Sequence, residues 1–505
     1  MDFIKKLDSR FKTILMTTVV FLLMAHGMAI FYKLSFHDEA YYLFNVGATV
    51  KSGRWGLEVL KKLSGIFFGR YGGSDVYSMP VMSCIYIIPL ISVSLYLIVK
   101  LLDIKKMLSC IMLSGLFITS FFFATLFLYN YTASYYIFGI FLSVAGGYLI
   151  CAWKKYYTYI IGTILMGLSL SIYQAFYPLA VSLILIYFIK EVAENKVSCG
   201  AFVKKGLYYG SAVVLAVILY FVSVKVSVQL TGIPLCSHKN LDQMGSAGLM
   251  TYWHTVPLAY QKFFNPIVFF PLNIIYLYRL ILLVMILLVI FKSVKLYKSG
   301  KLSLLQFILL NLALPLAVNS IYVMIAGQNA DTLMLIGQLM IFPYFFWLSE
   351  NIETPKIKYL NAIGYLGVFM VIWMFCRWDN VLHLHAVFMQ QRAISYFTTL
   401  ISQIKNTEGY KDEYPVVFLH EAKLNDKNVE NLPFAWTSKI PIPFFGTQVL
   451  LNDYSRRDFL HHWLAYQPNS VRMVFSENFT TLMNIPHYPD EGSIRVINNV
   501  VFVNF

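Results

Sequence analysis

Residues 79–102 read MPVMSCIYIIPLISVSLYLIVKLL, and Lys100 is the single charge among them. A helix rises about 1.5 Å per residue, so this run reaches about 36 Å, enough for the roughly 30 Å hydrocarbon layer of a bilayer. Lipid offers nothing to bond the backbone N–H and C=O groups, so such a run crosses as a helix. Comparable runs lie at roughly 14–34, 107–128, 132–152, 157–171, 174–190, 206–230, 266–291, 302–325, 332–349 and 358–377. Together they predict a polytopic α-helical membrane protein of about eleven transmembrane helices. The 157–190 stretch is long for one helix and short for two, and Ser169-Leu170-Ser171 followed by Tyr173-Gln174 interrupts it. Across the 505 residues, 58% are hydrophobic and only 13% charged, about half the charge of a soluble domain.

Charge then sets the orientation. The formal net charge is +15. Placing the N-terminus in the cytoplasm puts Lys100, Lys105 and Lys106, then Lys154 and Lys155, then Lys190, Lys196, Lys204 and Lys205 on the inside. Lys292, Lys295, Lys298 and Lys301, then Lys356 and Lys358, follow on the same side, while the short loops at Tyr129-Asn130-Tyr131 and Gln328-Asn329-Ala330 carry no Lys or Arg. That is the positive-inside pattern. The same excess would attract anionic lipid. Nucleic acid is not an expected partner, because the basic residues sit in short loops between apolar runs. Lys5, Lys6, Arg10 and Lys12 ahead of an apolar run resemble a signal peptide, but the run is too long for one and lacks a small-residue cleavage site, so it is read as a retained first helix. The six cysteines are scattered, with neither metal-ligand spacing nor a disulfide framework.

With an odd number of spans, three larger segments fall outside the cell. Segment 35–78 holds two amphipathic pieces, near 41–51 and 55–68, expected to lie in the interface. Segment 231–265 is the second. The third is the tail 378–505, where long apolar runs stop. Its start has helical spacing at Ile394, Phe397, Leu400, Ile401 and Ile404. Strand-like runs follow at 416–419 and 472–475, and Asn498-Asn499 between 494–497 and 500–503 reads as a tight hairpin. The division is thus a membrane region 1–377 and a small extracytoplasmic α/β domain 378–505.

Residues able to do chemistry cluster on the outer side. His37-Asp38-Glu39 follows the first helix. Ionisable groups beside a bilayer are costly and usually have a task, and Asp38 there suits a general base on a hydroxyl; an ordinary solvated helix end is the plain alternative. In Gly53-Arg54-Trp55 the Arg fork suits phosphate oxygens and the Trp a sugar face, against simple interfacial anchoring. Arg70 is a second external cation. Tyr173-Gln174 and Gln328-Asn329 sit at outward helix ends, where polar groups bond a hydroxylated ligand or satisfy broken backbone. His254 is a further candidate, with packing as its plainer reading. There is no phosphate-binding Gly-x-x-x-x-Gly-Lys loop, no row of intramembrane acids as in proton relays, and no cytoplasmic loop large enough to fold around a nucleotide-sugar.

An acid pair after helix one, then Gly53-Arg54-Trp55, then Tyr173-Gln174-Ala175-Phe176 at an outward break resembles the phage-type O-antigen glucosyltransferases, of the GT-C class of membrane glycosyltransferases. The resemblance covers most of the membrane region and fits the tail only loosely. It implies a GT-C-like fold and transfer of a sugar, a hexose such as glucose, from a polyprenyl-phosphate donor to a surface polysaccharide such as O-antigen or a wall glycan. That places the protein in a bacterial cytoplasmic (inner) membrane with its C-terminus outside. Family members often carry two consecutive Asp where this chain has Asp38-Glu39. The implied roles are Asp38 as base with Glu39 orienting substrate or sharing that task, and Arg54 or Arg70 on the phosphate. His37, Trp55, Tyr173, Gln174, His254, Gln328 and Asn329 would bind substrate. The single displacement would invert the anomeric carbon, with no cofactor and no required metal. The rival reading is a transporter or flippase for a lipid-linked sugar.

Overall fold

A computed structural model describes residues 7–35, 38–69, 76–153, 155–195, 197–236, 249–271, 273–299, 301–352, 357–420, 453–469 and 485–505. His37, Arg70 and the expected strand at 472–475 lie outside the described residues. Packing divides the chain into two units: the described residues of one fall within 7–31 and 44–380, those of the other within 32–43 and from 381 onward.

The first unit is all helical. Its helices are α1 (Ser9–Phe31), α3 (Trp55–Phe68), α4 (Pro80–Leu102), α5 (Met107–Ile118), α6 (Phe121–Leu128), α7 (Asn130–Ala152), α8 (Tyr156–Ile172) and α9 (Tyr177–Glu194). They continue with α10 (Cys199–Thr231), α11 (Leu249–Phe264), α12 (Ile274–Ser299), α13 (Lys301–Val318), α14 (Ile321–Met324), α15 (Ile341–Glu350) and the first half of α16 (Ile357–Lys405). The four-residue α2 (Asp38–Tyr41) belongs to the second unit.

Seven helices among the described residues are long and apolar enough to cross a membrane, or eight if the pair α5 and α6, bent by 41° at Thr119-Ser120, counts as one span. The protein is thus a polytopic membrane protein. The other apolar runs read from the sequence are present but shorter or broken. α8 has 17 residues, about 25 Å of helix. α13 ends at Val318, three residues beyond Pro315. Residues 332–340 form two 3-10 turns, Thr332–Met334 and Ile336–Met340, ahead of the ten-residue α15. Hydropathy marks these runs without revealing the breaks.

Local chemistry explains the boundaries that matter. α4 opens on Pro80, whose missing N–H would have no helical partner there. Glu350 caps α5: its carboxylate accepts the Lys105 N–H at 2.6 Å and the Ser109 hydroxyl at 2.5 Å, a negative charge at a positive helix end. α7 and α8 meet through Gly146 and Gly162, where a Cβ on either would stand 2.7 Å from the carbonyl oxygen of the other. With lipid as solvent, such close backbone approach is what holds helices together.

The second unit contains α2, the rest of α16, β1 (Val416–Leu419), α17 (Asp453–Leu464), β2 (Ile494–Ile497) and β3 (Val500–Asn504). The sheet order is β1-β3-β2, with β1 parallel to β3 and β2 antiparallel to it. Asn498 and Asn499 both have positive φ (52° and 62°), the geometry of a two-residue hairpin turn. Arg456 of α17 lies over the rings of Phe418 and Phe505, 4.5 and 4.8 Å from their centres. α16 runs through residue 378 without interruption, so the change of unit at 380–381 falls inside a helix.

Replacing Gly162 by Val should overpack the α7–α8 contact and cost about 1–3 kcal/mol. Thermal unfolding in detergent should show a lower midpoint for this variant. Gly210→Ala, where a Cβ meets nothing within 4 Å, should leave the midpoint unchanged or slightly raised.

Candidate functional site

The site grows from a turn that only glycine can make. Residues Val50–Ser52 form one 3-10 turn, and Gly53 ends it with φ of 67°. A Cβ there would stand 2.6 Å from the Tyr220 hydroxyl and 3.1 Å from Gln174 Nε2. Glycine therefore serves twice, for the left-handed backbone and for the close approach. The turn delivers Arg54 to the head of α3. Gly56 lies so close to Ser171 that a Cβ would meet its backbone at 3.0 Å, which fixes α3 against the end of α8.

Gln174 opens the short 3-10 turn Gln174–Phe176 between α8 and α9. Its buried Nε2 donates to Ser52 O at 3.0 Å and to the Tyr220 hydroxyl at 2.6 Å. Tyr220, on α10, donates in turn to Gly53 O at 3.2 Å. Two segments far apart in sequence are thereby tied to one glycine turn. Buried polar groups bonded in this way rigidify a site, and losing one partner leaves the other unsatisfied.

The tied turn holds a cation on an aromatic shelf. The guanidinium carbon of Arg54 lies 4.5 Å from the centre of the Tyr173 ring. Tyr173 stacks on Tyr136 of α7 with centres 4.7 Å apart and planes 6° from parallel. Arg54 Nη1 donates to the Tyr136 hydroxyl at 3.1 Å. Arg54 Nε is buried without a hydrogen-bond partner among the described residues, and no carboxylate among them lies within ion-pair distance of this side chain. A cation–aromatic contact supplies about 0.5–2 kcal/mol, less than removal of a charge from water costs. The arrangement presents an oriented, half-buried guanidinium whose Nε carries no hydrogen bond among the described residues.

The structure brings together Arg54, Tyr173 and Gln174 of the residues singled out in the sequence. Trp55 stands beside them but faces α10, its Nε1 donating to Ser223 Oγ at 2.9 Å. Gln328 and Asn329 are exposed in the loop after α14, and the 3-10 turn following that loop packs on the Gln174 turn. A Cβ on Gly327 would meet Thr255 at 3.7 Å, which sets the same loop against α11, where His254 is exposed. Asp38 and Glu39 are in the second unit. There Glu39 is fully buried and ion-paired to Lys33, while Asp38 is half-buried. The backbone beside them is fixed by Gln390, which accepts the Ser35 N–H at 2.8 Å and donates to Lys33 O at 2.9 Å. Tyr136 and Tyr220 were not singled out from the sequence. Among 36 tyrosines, neither carries a local motif. Among the described residues, no three His, Cys, Asp or Glu side chains are grouped to hold a metal ion.

No curated protein matches the sequence. Among solved structures, the oligosaccharyltransferase of Archaeoglobus fulgidus is similar at a TM-score of 0.36 and 12% identity, over 80% of this chain and 60% of that one. The sequence profile of the glucosyl transferase GtrII family matches residues 27–342, a stretch that holds the acid pair, the Arg54 turn, the tyrosine shelf and the Gln174 break. On that match, over more than half its length, the chain belongs to the glucosyl transferase GtrII family.

Proposed function

We propose that the protein transfers a hexose, glucose in keeping with its family, from a polyprenyl-phosphate donor to a surface polysaccharide on the extracytoplasmic face of a bacterial inner membrane. The observation that supports this most is the Arg54 guanidinium, half-buried on the Tyr173–Tyr136 pair, with its Nε–H unbonded and no carboxylate within ion-pair distance among the described residues. A phosphate is the ligand that such a fork suits, and the distribution of lysines favours a cytoplasmic N-terminus.

In the proposed reaction, a hydroxyl of the acceptor attacks the anomeric carbon. The bond from that carbon to the phosphate oxygen breaks, and polyprenyl phosphate leaves with the electron pair. The hydroxyl proton passes to the Asp38 carboxylate. Arg54 offsets the charge that grows on the leaving phosphate, the kind of stabilisation worth most where water is scarce. Glu39, already paired with Lys33, anchors the segment that carries Asp38. One displacement inverts the anomeric centre.

Two outcomes follow. In a host lacking the gene, wild type should restore a side-chain sugar to the surface polysaccharide and Asp38→Asn should not, at equal membrane levels of both proteins. Loss of a general base costs about 10²–10⁴ in rate. Equal restoration removes Asp38 from the mechanism, and an unchanged glycan in the deletion host favours transport over transfer. With purified protein, Arg54→Gln should slow transfer from a lipid-phosphate donor by about 10²–10³; a rate within twofold of wild type would assign the phosphate to another cation.

A further inference from the structure

Between Lys301 and Glu350 the chain carries a single charged residue, Asp331, and it takes no part in the reaction proposed above. An ionisable group set alone between apolar runs usually has a task. After α14, Ala326 and Gly327 both take positive φ (48° and 79°), and the Gly327 N–H donates to Tyr322 O at 2.8 Å. Asp331 follows four residues later and is exposed, while its neighbours Ala330 and Thr332 are buried. The backbone is thus held on both sides of a side chain that stays at the surface. The Met334 N–H then donates to Asp331 O at 2.8 Å and closes the 3-10 turn Thr332–Met334, which packs on the Gln174 turn and on α6.

An aspartate at the head of a helical turn ordinarily caps it, accepting one of its N–H groups. Among the described residues, the Asp331 side chain makes no such cap on the turn it precedes. Its charge is directed instead to the Arg54 shelf: the Arg54 cation and the Asp331 anion both act on the Tyr173 hydroxyl. Charges of opposite sign therefore flank the ring on which Arg54 rests. A glycosyl phosphate has the matching order, a negative phosphate and then a ring of O–H donors. A carboxylate accepts more than one such donor, and hydrogen bonds to an ionised group are about twice as strong as neutral ones. It also repels the phosphate, which leaves that end of the ligand to Arg54.

We infer that Asp331 holds the donor's hexose by accepting its hydroxyl groups as hydrogen-bond donors, and so helps to set which sugar is transferred. The inference rests on the glycosyl-phosphate donor proposed above. The acceptor polysaccharide also offers hydroxyls, but the donor's hexose is bonded directly to the phosphate that Arg54 holds and so lies beside the shelf.

Purified full-length protein tests it by a cycle of two changes. One is Asp331→Ala or Asp331→Asn. The other removes a single hydroxyl from the donor, with lipid-phosphate hexoses made deoxy at C2, C3, C4 or C6. Wild type should lose about 10–100-fold in kcat/KM on at least one deoxy donor. Asp331→Ala should lose as much on the full donor, and should then use that deoxy donor and the full donor alike, within about threefold. Asp331→Asn keeps an acceptor oxygen and should recover part of the loss. The same discrimination among donors in wild type and Asp331→Ala, with unfolding midpoints alike, overturns the inference. So does coupling to deoxy acceptors in place of deoxy donors. Equal losses in both variants without coupling to any deoxy substrate also overturn it, and mark a general base. If wild type uses no lipid-linked donor but transfers from a nucleotide-sugar, the donor reading fails by itself, and the same cycle with deoxy nucleotide-sugars decides on Asp331.

Discussion

The first unit is organised around the Arg54 guanidinium, which has no carboxylate within ion-pair distance among the described residues. Arg54 is held from below by the Tyr173 ring and from the side by the Tyr136 hydroxyl, and both contacts orient the guanidinium without cancelling it. A carboxylate in the same place would have been the simpler way to stabilise a half-buried arginine, and it would have filled the site. The tyrosines keep the cation in position and leave its charge available. Everything near it serves that arrangement: Gly53 lets Tyr220 and Gln174 close on the turn, and Gly56 lets α3 reach the end of α8.

The bilayer imposes a second constraint, since polar groups inside it must be satisfied by protein. Where the helices break, the structure shows how. The break at residues 173–176 is bridged by the Gln174 amide and by the Ser143 hydroxyl, which donates to Phe176 O at 2.8 Å. α1 and α16 are clipped by Asn380 Nδ2, which donates to Met24 O at 2.7 Å, beside the fully buried His26 and Asp379, 3.9 Å apart. Breaks and buried polar groups of this kind carry the geometry of the site, whereas the uninterrupted apolar helices give it rigid walls.

This division explains what could be read from the sequence. The apolar runs, the Gly53-Arg54-Trp55 turn and the Tyr173-Gln174 break are local patterns, and each was legible. So was the Asn498-Asn499 hairpin, whose residues tolerate positive φ. The shelf was not: Tyr136 and Tyr220 reach Arg54 and Gly53 only after α7 and α10 have packed, and no local spacing distinguishes them from other tyrosines. The grouping of segment 32–43 with residues beyond 381 was equally hidden. It depends on Gln390 bonding Lys33 and Ser35, a pairing across more than 350 positions. Hydropathy, finally, measures how apolar a run is and is blind to whether it stays one helix, which is why residues 332–349 read as a span and form turns and a short helix.

The two neighbouring acids show why residue type alone does not assign a role. Successive residues of a helix project about 100° apart, so Asp38 and Glu39 of the short α2 point in different directions. Glu39 is turned inward and paired with Lys33. Removing Lys33 would take this partner from the fully buried Glu39. Its longer side chain suits that inward reach. Asp38 is shorter and half-buried. In the proposed mechanism Glu39 anchors the segment and Asp38 takes the proton, so the departure from two consecutive aspartates would alter the anchor and keep the base.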